Sequence, residues 1–129
     1  MVPEVSIVIP LYNEEECVAP LLAELRRFLA TFDRTAEVIL VDDGSRDQTV
    51  ATVGKFEKLR SQVKLIRLPQ NYGKGHAVRR GMLEARGQRR LMTDADLSTP
   101  IEELPRFLEK LGQGYDVVTP IQLINAYAA

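Results

Sequence analysis

Four short, largely apolar segments alternate along this chain with stretches of helical periodicity, and this alternation constrains the fold more than any other feature. The segments cover residues 5–10, 37–41, 63–67 and 90–93. Apolar runs of this length are typical of strands that are covered on both faces of a parallel sheet. Residues 115–118 predict a fifth strand of the same kind.

Apolar residues recur at three- and four-residue spacing between these segments, which predicts a helix in each interval. The pattern is clearest over residues 18–32 and continues over residues 50–59 and 78–85. Ser45 to Gln48 has the form of a capping box in front of the second of these helices.

The fourth helix has the strongest start signal in its sequence. Thr99 is predicted to be the N-cap, with Pro100 at the first helical position and Glu102 completing a capping box. The helix is expected to end before Gly112 and to tolerate Pro105 with a slight kink.

The order of these elements predicts an α/β fold. Alternating strands and helices require right-handed crossovers, which give a doubly wound, mostly parallel sheet sandwiched by helices. A chain of 129 residues fits one domain. We expect residues 1–118 to form that domain and residues 119–129 to form a C-terminal tail.

Composition and charge narrow the class of protein. Seventeen Lys and Arg residues against 18 Asp and Glu residues give no global electrostatic reason to expect nucleic-acid binding. The single cysteine excludes an internal disulfide and fits a reducing compartment. No apolar run approaches the roughly 18–20 residues that span a bilayer, and the N-terminus lacks signal-peptide features. The expectation is a cytoplasmic protein, with peripheral contact to a membrane surface still open.

Polar residues follow each of the four predicted strands. In an open parallel sheet, ligands bind in the crevice outside the carboxyl ends of the strands, so these residues are the candidates for a site. They are Tyr12, Asn13 and Glu14 after the first strand, Asp42 and Asp43 after the second, residues 70–75 after the third, and Asp94 and Asp96 after the fourth.

Asp94 and Asp96 are two residues apart, as in a D-x-D motif. In an extended segment both carboxylates would face the same way and repel each other unless a cation lay between them. Carboxylate oxygens suit Mg²⁺ or Mn²⁺. The alternative is that one of the two only caps the next helix, but Thr99 is available for that role, which favours the metal interpretation.

Residues 71–75, Asn-Tyr-Gly-Lys-Gly, place flexible backbone and a cation at the start of a predicted helix. Such a helix start favours an anion, for example a diphosphate. The segment lacks the G-x-x-x-x-G-K-[ST] pattern of a Walker A loop.

Four segments together resemble a known family. "VIPLYNEEE" (8–16), "VDDGSRDQT" (41–49), "NYGKGHAVRRGM" (71–82) and "MTDADLSTP" (92–100) are similar to the inverting family 2 glycosyltransferases. The similarity is closest to the dolichyl-phosphate glucosyltransferase and polyprenyl-phosphate hexosyltransferase branch. It extends from Val5 to Val118, which corresponds to the donor-binding, N-terminal half of such enzymes.

The resemblance implies a GT-A type fold that binds a nucleotide-diphosphate sugar, with UDP-glucose favoured, and a Mg²⁺ or Mn²⁺ ion. It implies a catalytic role for Asp94 and Asp96. By this resemblance Pro10, Tyr12 and Glu14 form the nucleoside pocket, and one of Asp42 and Asp43 contacts the base. Asp94 contacts the ribose or sugar, and Asp96 binds the metal. Further contacts to the donor are implied for Asn71, Gly73, Lys74 and Gly75.

The implied reaction is the inverting transfer of a hexose, with glucose favoured in this branch, to a polyprenyl or dolichyl phosphate. A lipid phosphate needs no general base, because a phosphate monoester with a second pKa near 6 is mostly dianionic at pH 7.

Two alternatives come from other classes. The family's acceptor half is expected after residue 118 and has no counterpart here, so the chain could be a nucleotide-sugar-binding module without transfer activity, or one completed in a homo-oligomer. A phospho-acceptor domain of receiver type also clusters acidic residues at strand ends. It is disfavoured because its acidic pair should follow the first strand, where Asn13 and Glu14 lie.

Two further residues and one group of cations carry weaker signals. His76 could touch a phosphate, and Cys17 near a helix start could have a lowered pKa, but neither is predicted to be catalytic. A local excess of cations suits either a lipid phosphate or anionic membrane surface, or a solvated helix face, and both interpretations stay open. The cations are Lys74, Arg79, Arg80, Arg86, Arg89 and Arg90, against Glu84.

Overall fold

In the computed structural model, which describes residues 2–56, 62–97 and 100–113, four parallel strands form one sheet. The strands are β1 (Val5–Leu11), β2 (Ala36–Asp42), β3 (Val63–Arg67) and β4 (Arg89–Met92). The helices are α1 (Glu15–Thr31), α2 (Thr49–Gly54), α3 (Lys74–Glu84) and α4 (Leu104–Gly112), with a 3₁₀ turn at Ile101–Glu103. The predicted four strands and four helices are therefore confirmed. The predicted fifth strand and the tail fall outside the described residues.

The chain divides after Ser98 into two compact units. The first unit contains the sheet with α1, α2 and α3, and the second contains the 3₁₀ turn and α4. All predicted site residues belong to the first unit.

The strand order is β3-β2-β1-β4. The chain therefore moves outward through β1, β2 and β3 and then returns to the other side of β1 for β4. A doubly wound sheet binds ligands where the strand order reverses, which here is the gap between the carboxyl ends of β1 and β4. A receiver-type domain has the order 2-1-3-4-5, so that alternative is wrong for this chain.

β1 is the centre of the core. At most 1% of the surface is exposed in four of its residues, Val5, Ile7, Val8 and Ile9. They are buried because β1 is flanked by β2 and β4 and covered on both faces. α1 presents the predicted apolar stripe to the core, with Val18, Leu21, Leu22, Leu25 and Leu29 buried.

α3 lies very close to the sheet, and one glycine permits this approach. A Cβ on Gly81 would overlap the Cγ1 of Val8 and lie 3.1 Å from the Cγ2 of Val41. Ala77 and Ala85, also small, are buried in the same cluster against Val8, Val41 and other apolar residues of β2 and β3. The small residues of α3 thus fix the position of this helix over β1 and β2.

Two helix starts differ from the sequence predictions. No side chain caps α2 from Gln48, and the predicted capping box is wrong because Ser45 bonds to another loop. Pro100 is extended, with ψ of 140°, and is followed by a 3₁₀ turn, so α4 begins only at Leu104 and has Pro105 within its first two positions. Thr99, the predicted N-cap, is not among the described residues.

A polar network joins the strands at the edge of the sheet where β1, β2 and β4 begin. The Glu37 carboxylate accepts hydrogen bonds from the Ser6 hydroxyl and from the backbone N–H of Arg86 at 2.7 Å, and Ser6 Oγ accepts one from the N–H of Gly87 at 2.8 Å. Burial alone would raise the pKa of Glu37, but these hydrogen bonds and the Arg86 guanidinium lower it below its ordinary value. The network fastens the turn before β4 to β1 and β2.

Candidate functional site

The loops that follow β1 and β2 hold each other in place. The N–H of Asn13 donates to Ser45 Oγ at 2.8 Å, and the N–H of Arg46 donates to Asn13 Oδ1 at 2.9 Å. Asn13 has a φ of +50°, a conformation that Asn adopts more readily than most residues. The reciprocal bonds fix where the chain enters α1.

The start of α1 is capped by residues of the second loop. Thr49 Oγ1 accepts from the N–H of Glu14 at 2.8 Å, and Asp47 Oδ2 accepts from the N–H of Glu15 at 3.3 Å. Asp47 also accepts from the N–H of Thr49 at 2.9 Å. Burial would raise the pKa of Asp47, but the bonds from Thr49 and Glu15 lower it overall.

Asp43 organises the loop that follows β3. Its side chain is 2% exposed, and both of its oxygens are engaged. Oδ1 accepts from the N–H of Tyr72 at 2.8 Å, while Oδ2 accepts from the N–H of Gly73 at 2.9 Å and from Asn71 Nδ2 at 3.1 Å. Asp43 is therefore the anchor of the segment that leads into α3.

The loop after β2 passes very close to the loop after β3, and this close approach requires glycine at position 44. Gly44 has a φ of +79°, and a Cβ there would lie 2.6 Å from the backbone N of Asn71. Any side chain would push the loop after β3 away from Asp43.

Asp42 differs from Asp43 in having an unsatisfied oxygen. Its side chain is also 2% exposed. Oδ2 accepts from the N–H of Ser45 at 3.0 Å, whereas Oδ1 is buried without a hydrogen-bond partner in the described part of the chain. Such a buried acceptor is uncommon and calls for an explanation.

The start of α3 carries a cation to the predicted acidic segment. Lys74 Nζ lies 2.6 Å from Asp94 Oδ1, and both side chains are about half exposed. Gly73 has a φ of +106° and no side chain caps α3. A Cβ at Gly73 or Gly75 would have no neighbour within 4 Å, so the space beside this helix start is open.

The segment after β4 is a turn and not an extended chain. The N–H of Leu97 donates to the carbonyl of Asp94 at 3.1 Å, and Leu97 has a φ of +50°. The predicted extended geometry, in which Asp94 and Asp96 point the same way by alternation, is therefore wrong.

Acidic groups nevertheless converge at the gap between β1 and β4. The pKa of Glu14 is raised, first by burial and then by the negative charges of Asp96, Asp94 and Asp47. These carboxylates come from three different loops, which the sheet brings to one place. No group of three or more His, Cys, Asp or Glu side chains within the described residues is arranged as a ready metal site.

Cys17 belongs to the same acidic neighbourhood. Its pKa is raised by burial and then by Glu14, Asp96 and Glu16, and its side chain hydrogen-bonds to Glu14. A lowered pKa, which the helix start suggested, is therefore wrong.

A cleft of about 500 Å³ opens beside the start of α1. Of the predicted donor-binding residues, only Glu14 lines it. The lining residues are Asn13, Glu14, Glu15, Glu16, Cys17, Arg46 and Asp47.

The remaining predicted site residues lie at the same edge of the sheet. Pro10 is partly buried near the end of β1, and Tyr12, just beyond it, is 45% exposed. The structure thus places every predicted residue at the end of a strand, in a loop that follows a strand, or, for Lys74 and Gly75, in the first turn of α3.

Sequence reasoning missed two features of this edge. It did not predict that Asn13, Ser45, Asp47 and Thr49 join the first two loops, although the Asp-x-Thr pattern at 47–49 is a local hydrogen-bonding signal. It also did not predict that the rings of Tyr72 and His76 stack, with centroids 4.6 Å apart.

Comparison with known proteins shows which family the chain is similar to. The sequence model described as glycosyl transferase family 2 matches residues 6–126. The undecaprenyl-phosphate 4-deoxy-4-formamido-L-arabinose transferase of Pseudomonas aeruginosa (strain LESB58) is 41% identical over 119 residues, covering 92% of this chain and 35% of that protein. The protein of the same name from Klebsiella pneumoniae (strain 342) is 38% identical over 122 residues, covering 94% of this chain and 37% of that protein. The chain therefore spans about a third of the length of these curated relatives.

Solved structures confirm the predicted fold type. A mannosyltransferase from Pyrobaculum calidifontis in complex with GDP-Man and Mn²⁺ has a TM-score of 0.62 at 29% identity, covering 80% of this chain and 30% of that one. S. aureus TarS 1-349 in complex with UDP-GlcNAc also has a TM-score of 0.62 at 29% identity, covering 83% of this chain and 31% of that one. The sheet and its helices are of the GT-A type.

Proposed function

This chain belongs to glycosyl transferase family 2, and we propose that it binds a nucleotide-diphosphate sugar for transfer of the sugar to a polyprenyl phosphate. One observation carries the proposal. Lys74 and the carboxylates of Glu14, Asp94 and Asp96 come from three loops and meet where the strand order reverses. A cation, a helix start and clustered carboxylates together suit a diphosphate with a divalent metal.

The nucleoside end of the donor is assigned to the loops after β1 and β2. Both oxygens of Asp43 are occupied by the loop after β3. Asp42 Oδ1 is buried without a hydrogen-bond partner among the described residues, and we assign the hydrogen bond from the base to this atom, which a base reaches only when the loop after β2 shifts to expose it. Pro10, Tyr12 and Glu14 surround the nucleoside in this assignment.

The diphosphate is assigned to the start of α3. The first N–H groups of a helix have no partner within the helix and favour an anion. With no Cβ at Gly73 or Gly75, a phosphate can approach this backbone closely. Lys74 would exchange part of its contact with Asp94 for contacts with the phosphate oxygens. Asn71, in the loop before α3, is held in place by its hydrogen bond to Asp43.

The residues fit a divalent metal by their chemistry. Asp96 and Asp94 supply carboxylate oxygens, which Mg²⁺ and Mn²⁺ prefer. Burial and then the negative charges of Asp96, Asp94 and Asp47 raise the pKa of Glu14, and a bound cation would relieve the second of these causes. We assign the metal to Asp96, with Asp94 next to the ribose or sugar. A metal bound there would neutralise charge on the departing diphosphate.

The reaction proposed is an inverting displacement, with UDP-glucose as the favoured donor. An oxygen of the acceptor phosphate forms a bond to the anomeric carbon, and the bond from that carbon to the nucleoside diphosphate breaks on the opposite side. The phosphate is already ionised near pH 7, so no protein base must remove a proton. Lys74 and the α3 start stabilise the negative charge that develops on the leaving diphosphate.

The relatives support the choice of acceptor by their printed names, which specify undecaprenyl phosphate. A second candidate function is binding of the nucleotide sugar without transfer. It is favoured by the position of the proposed site residues, since all of them lie between Pro10 and Asp96 and all of them face the donor in this proposal.

Calorimetric titration of UDP and UDP-glucose, with and without Mn²⁺, tests the proposed site. Wild type should bind in the presence of Mn²⁺, and Asp96→Ala should lose that metal-dependent binding. Asp33→Ala, which removes an exposed carboxylate between α1 and β2, is the matched control and should bind like wild type. Absence of binding by wild type under every condition would rule out the donor site. Binding without glucose release or transfer to undecaprenyl phosphate would favour the second candidate.

A further inference from the structure

The outer face of α3 combines cations with exposed apolar groups. Arg79, Arg80 and Leu83 follow His76 at spacings of three, four and seven residues, which places all four on one side of the helix. All four are exposed, whereas Ala77 and Gly81 on the other side are buried against the sheet. We call this side, together with Tyr72, the outer face of α3.

The apolar members lie at the two ends of the outer face. Leu83 is 67% exposed and Tyr72 is 46% exposed, and the Tyr72 ring stacks on His76. Arg79 and Arg80 lie between them along the helix. An aromatic ring and an aliphatic side chain that flank cations on one helix face are typical of a helix lying at a membrane surface.

The sequence segment that carries this face is rich in cations. Residues 74–90 contain six of the 17 Lys and Arg residues and one of the 18 Asp and Glu residues. The rest of the chain is left with 11 cationic against 17 anionic side chains. Cations therefore outnumber anions in the segment that carries the outer face of α3, and an anionic surface would attract that segment.

Some of these cations are paired, Lys74 with Asp94 at 2.6 Å and Arg86 with Glu37 at 3.7 Å. Glu84 pairs with Arg80 at 3.3 Å and with Lys64 at 3.2 Å, so this one carboxylate is shared by two cations. No described carboxylate pairs with Arg79, whose guanidinium stays available.

The outer face begins at the rim of the proposed donor site. The N–H of Tyr72 is held by Asp43, and Lys74, which contacts Asp94, is in the first turn of α3. Arg79 is five residues beyond Lys74, or about 7.5 Å along the helix axis. A surface that contacts this face would therefore lie close to the sugar donor.

We propose that the outer face of α3 docks the protein onto an anionic lipid bilayer. The biological role of this docking rests on the proposed function, since a polyprenyl phosphate is held in a membrane. The docking surface itself is inferred from the charge and the exposure of side chains on α3. The exposed Leu83 favours a bilayer over a nucleic acid, because the headgroup boundary accepts apolar and cationic side chains together.

Vesicle sedimentation with the whole chain tests the docking surface. Wild type should bind vesicles that contain phosphatidylglycerol, and added salt should weaken the binding. Phosphatidylcholine vesicles should bind much less protein. Arg79→Ser should lower the partition coefficient about five-fold, and Leu83→Ser should lower it about ten-fold. Arg26→Ser, which removes an exposed arginine of α1, is the matched control and should change it less than two-fold.

Far-UV circular dichroism should show that all three variants are folded, since the substituted side chains are exposed. The proposal is overturned if wild type binds neither kind of vesicle, or binds both equally. It is also overturned if Arg26→Ser weakens binding as much as Arg79→Ser, or if an RNA oligonucleotide binds more tightly than the anionic vesicles.

UDP titration of the same preparations separates this proposal from the proposed function. Arg79→Ser and Leu83→Ser should keep wild-type affinity for UDP and Mn²⁺ while losing vesicle binding. Vesicle binding by a protein that does not bind UDP would remove the donor site and leave the docking surface standing.

Discussion

Replacing Asp43 by asparagine should destabilise the protein severely and loosen the loop after β3. The carboxylate is buried and accepts three hydrogen bonds, from Tyr72 N, Gly73 N and Asn71 Nδ2. In Asp43→Asn one oxygen becomes an NH₂ group, which is a donor. If the remaining oxygen keeps the bond to Tyr72, the NH₂ faces the donors of Gly73 and Asn71, and two bonds are lost.

The expected loss in the free energy of unfolding is large because the acceptor of these hydrogen bonds is a carboxylate. A hydrogen bond to a charged group contributes about 1.5–3 kcal/mol, so loss of two bonds corresponds to about 3–6 kcal/mol. This is a large fraction of the roughly 5–15 kcal/mol that stabilises an ordinary domain. Relaxation of the loop toward solvent would bring the loss to the lower end of the range.

Urea unfolding followed by far-UV circular dichroism measures the change, and hydrogen exchange locates it. The amides of Tyr72 and Gly73 should exchange much faster in Asp43→Asn. Asp33→Asn, which changes an exposed carboxylate in the same way, should stay within about 0.5 kcal/mol of wild type. An Asp43→Asn protein with the wild-type urea midpoint and protected loop amides would refute the anchoring role.

Three further perturbations give separable results. The lowered pKa of Glu37 means that its hydrogen-bond network stabilises the fold above the ordinary carboxyl pKa and that this contribution disappears as pH falls through the lowered value. Urea midpoints measured from neutral to acidic pH should therefore drop less steeply in Glu37→Gln than in wild type. Gly81→Val should cost about 1–3 kcal/mol or more by overlap with Val8, seen as a lower urea midpoint, and a wild-type midpoint would contradict the close packing of α3. Lys74→Met should change stability by less than about 1 kcal/mol, because its pair with Asp94 is exposed, yet weaken UDP binding about ten-fold or more by calorimetry; unchanged affinity would remove Lys74 from the proposed site.

The arrangement of strands and helices was predictable because it depends on patterns within short segments. The apolar runs that became β1 to β4 were visible in the sequence, and so was the stripe of α1 from Val18 to Leu29. A doubly wound sheet implies a reversal of strand order, but the position of that reversal between β1 and β4 was not predicted, since it depends on which strands pair and not on their composition.

The helix starts were predicted less well because their partners come from elsewhere in the chain. Ser45 looked like a local cap, but its hydroxyl accepts from Asn13, 32 residues away. The first N–H groups of α1 are likewise satisfied by Asp47 and Thr49. A capping box is a local pattern, and a loop pair across the sheet edge competes with it for the same side chains.

The candidate site shows the same division. Its position at the strand ends could be predicted, because parallel strands bring their carboxyl ends to one edge. The division of labour between Asp42 and Asp43 could not, because adjacent identical residues differ only in what the folded loops place beside them. The turn at Asp94 to Leu97 was missed because alternation was assumed to continue past β4.

Amide chemical-shift mapping by NMR, with UDP and Mg²⁺ added to the wild-type chain, tests the central claim most directly. The proposed site predicts shifts that cluster at Glu14, Gly73 to Gly75 and Asp94 to Asp96, with none at the opposite edge around Thr35 and Gly87. Shifts confined to that opposite edge, or none at saturating UDP and Mg²⁺, would contradict a donor site at the carboxyl ends of the strands.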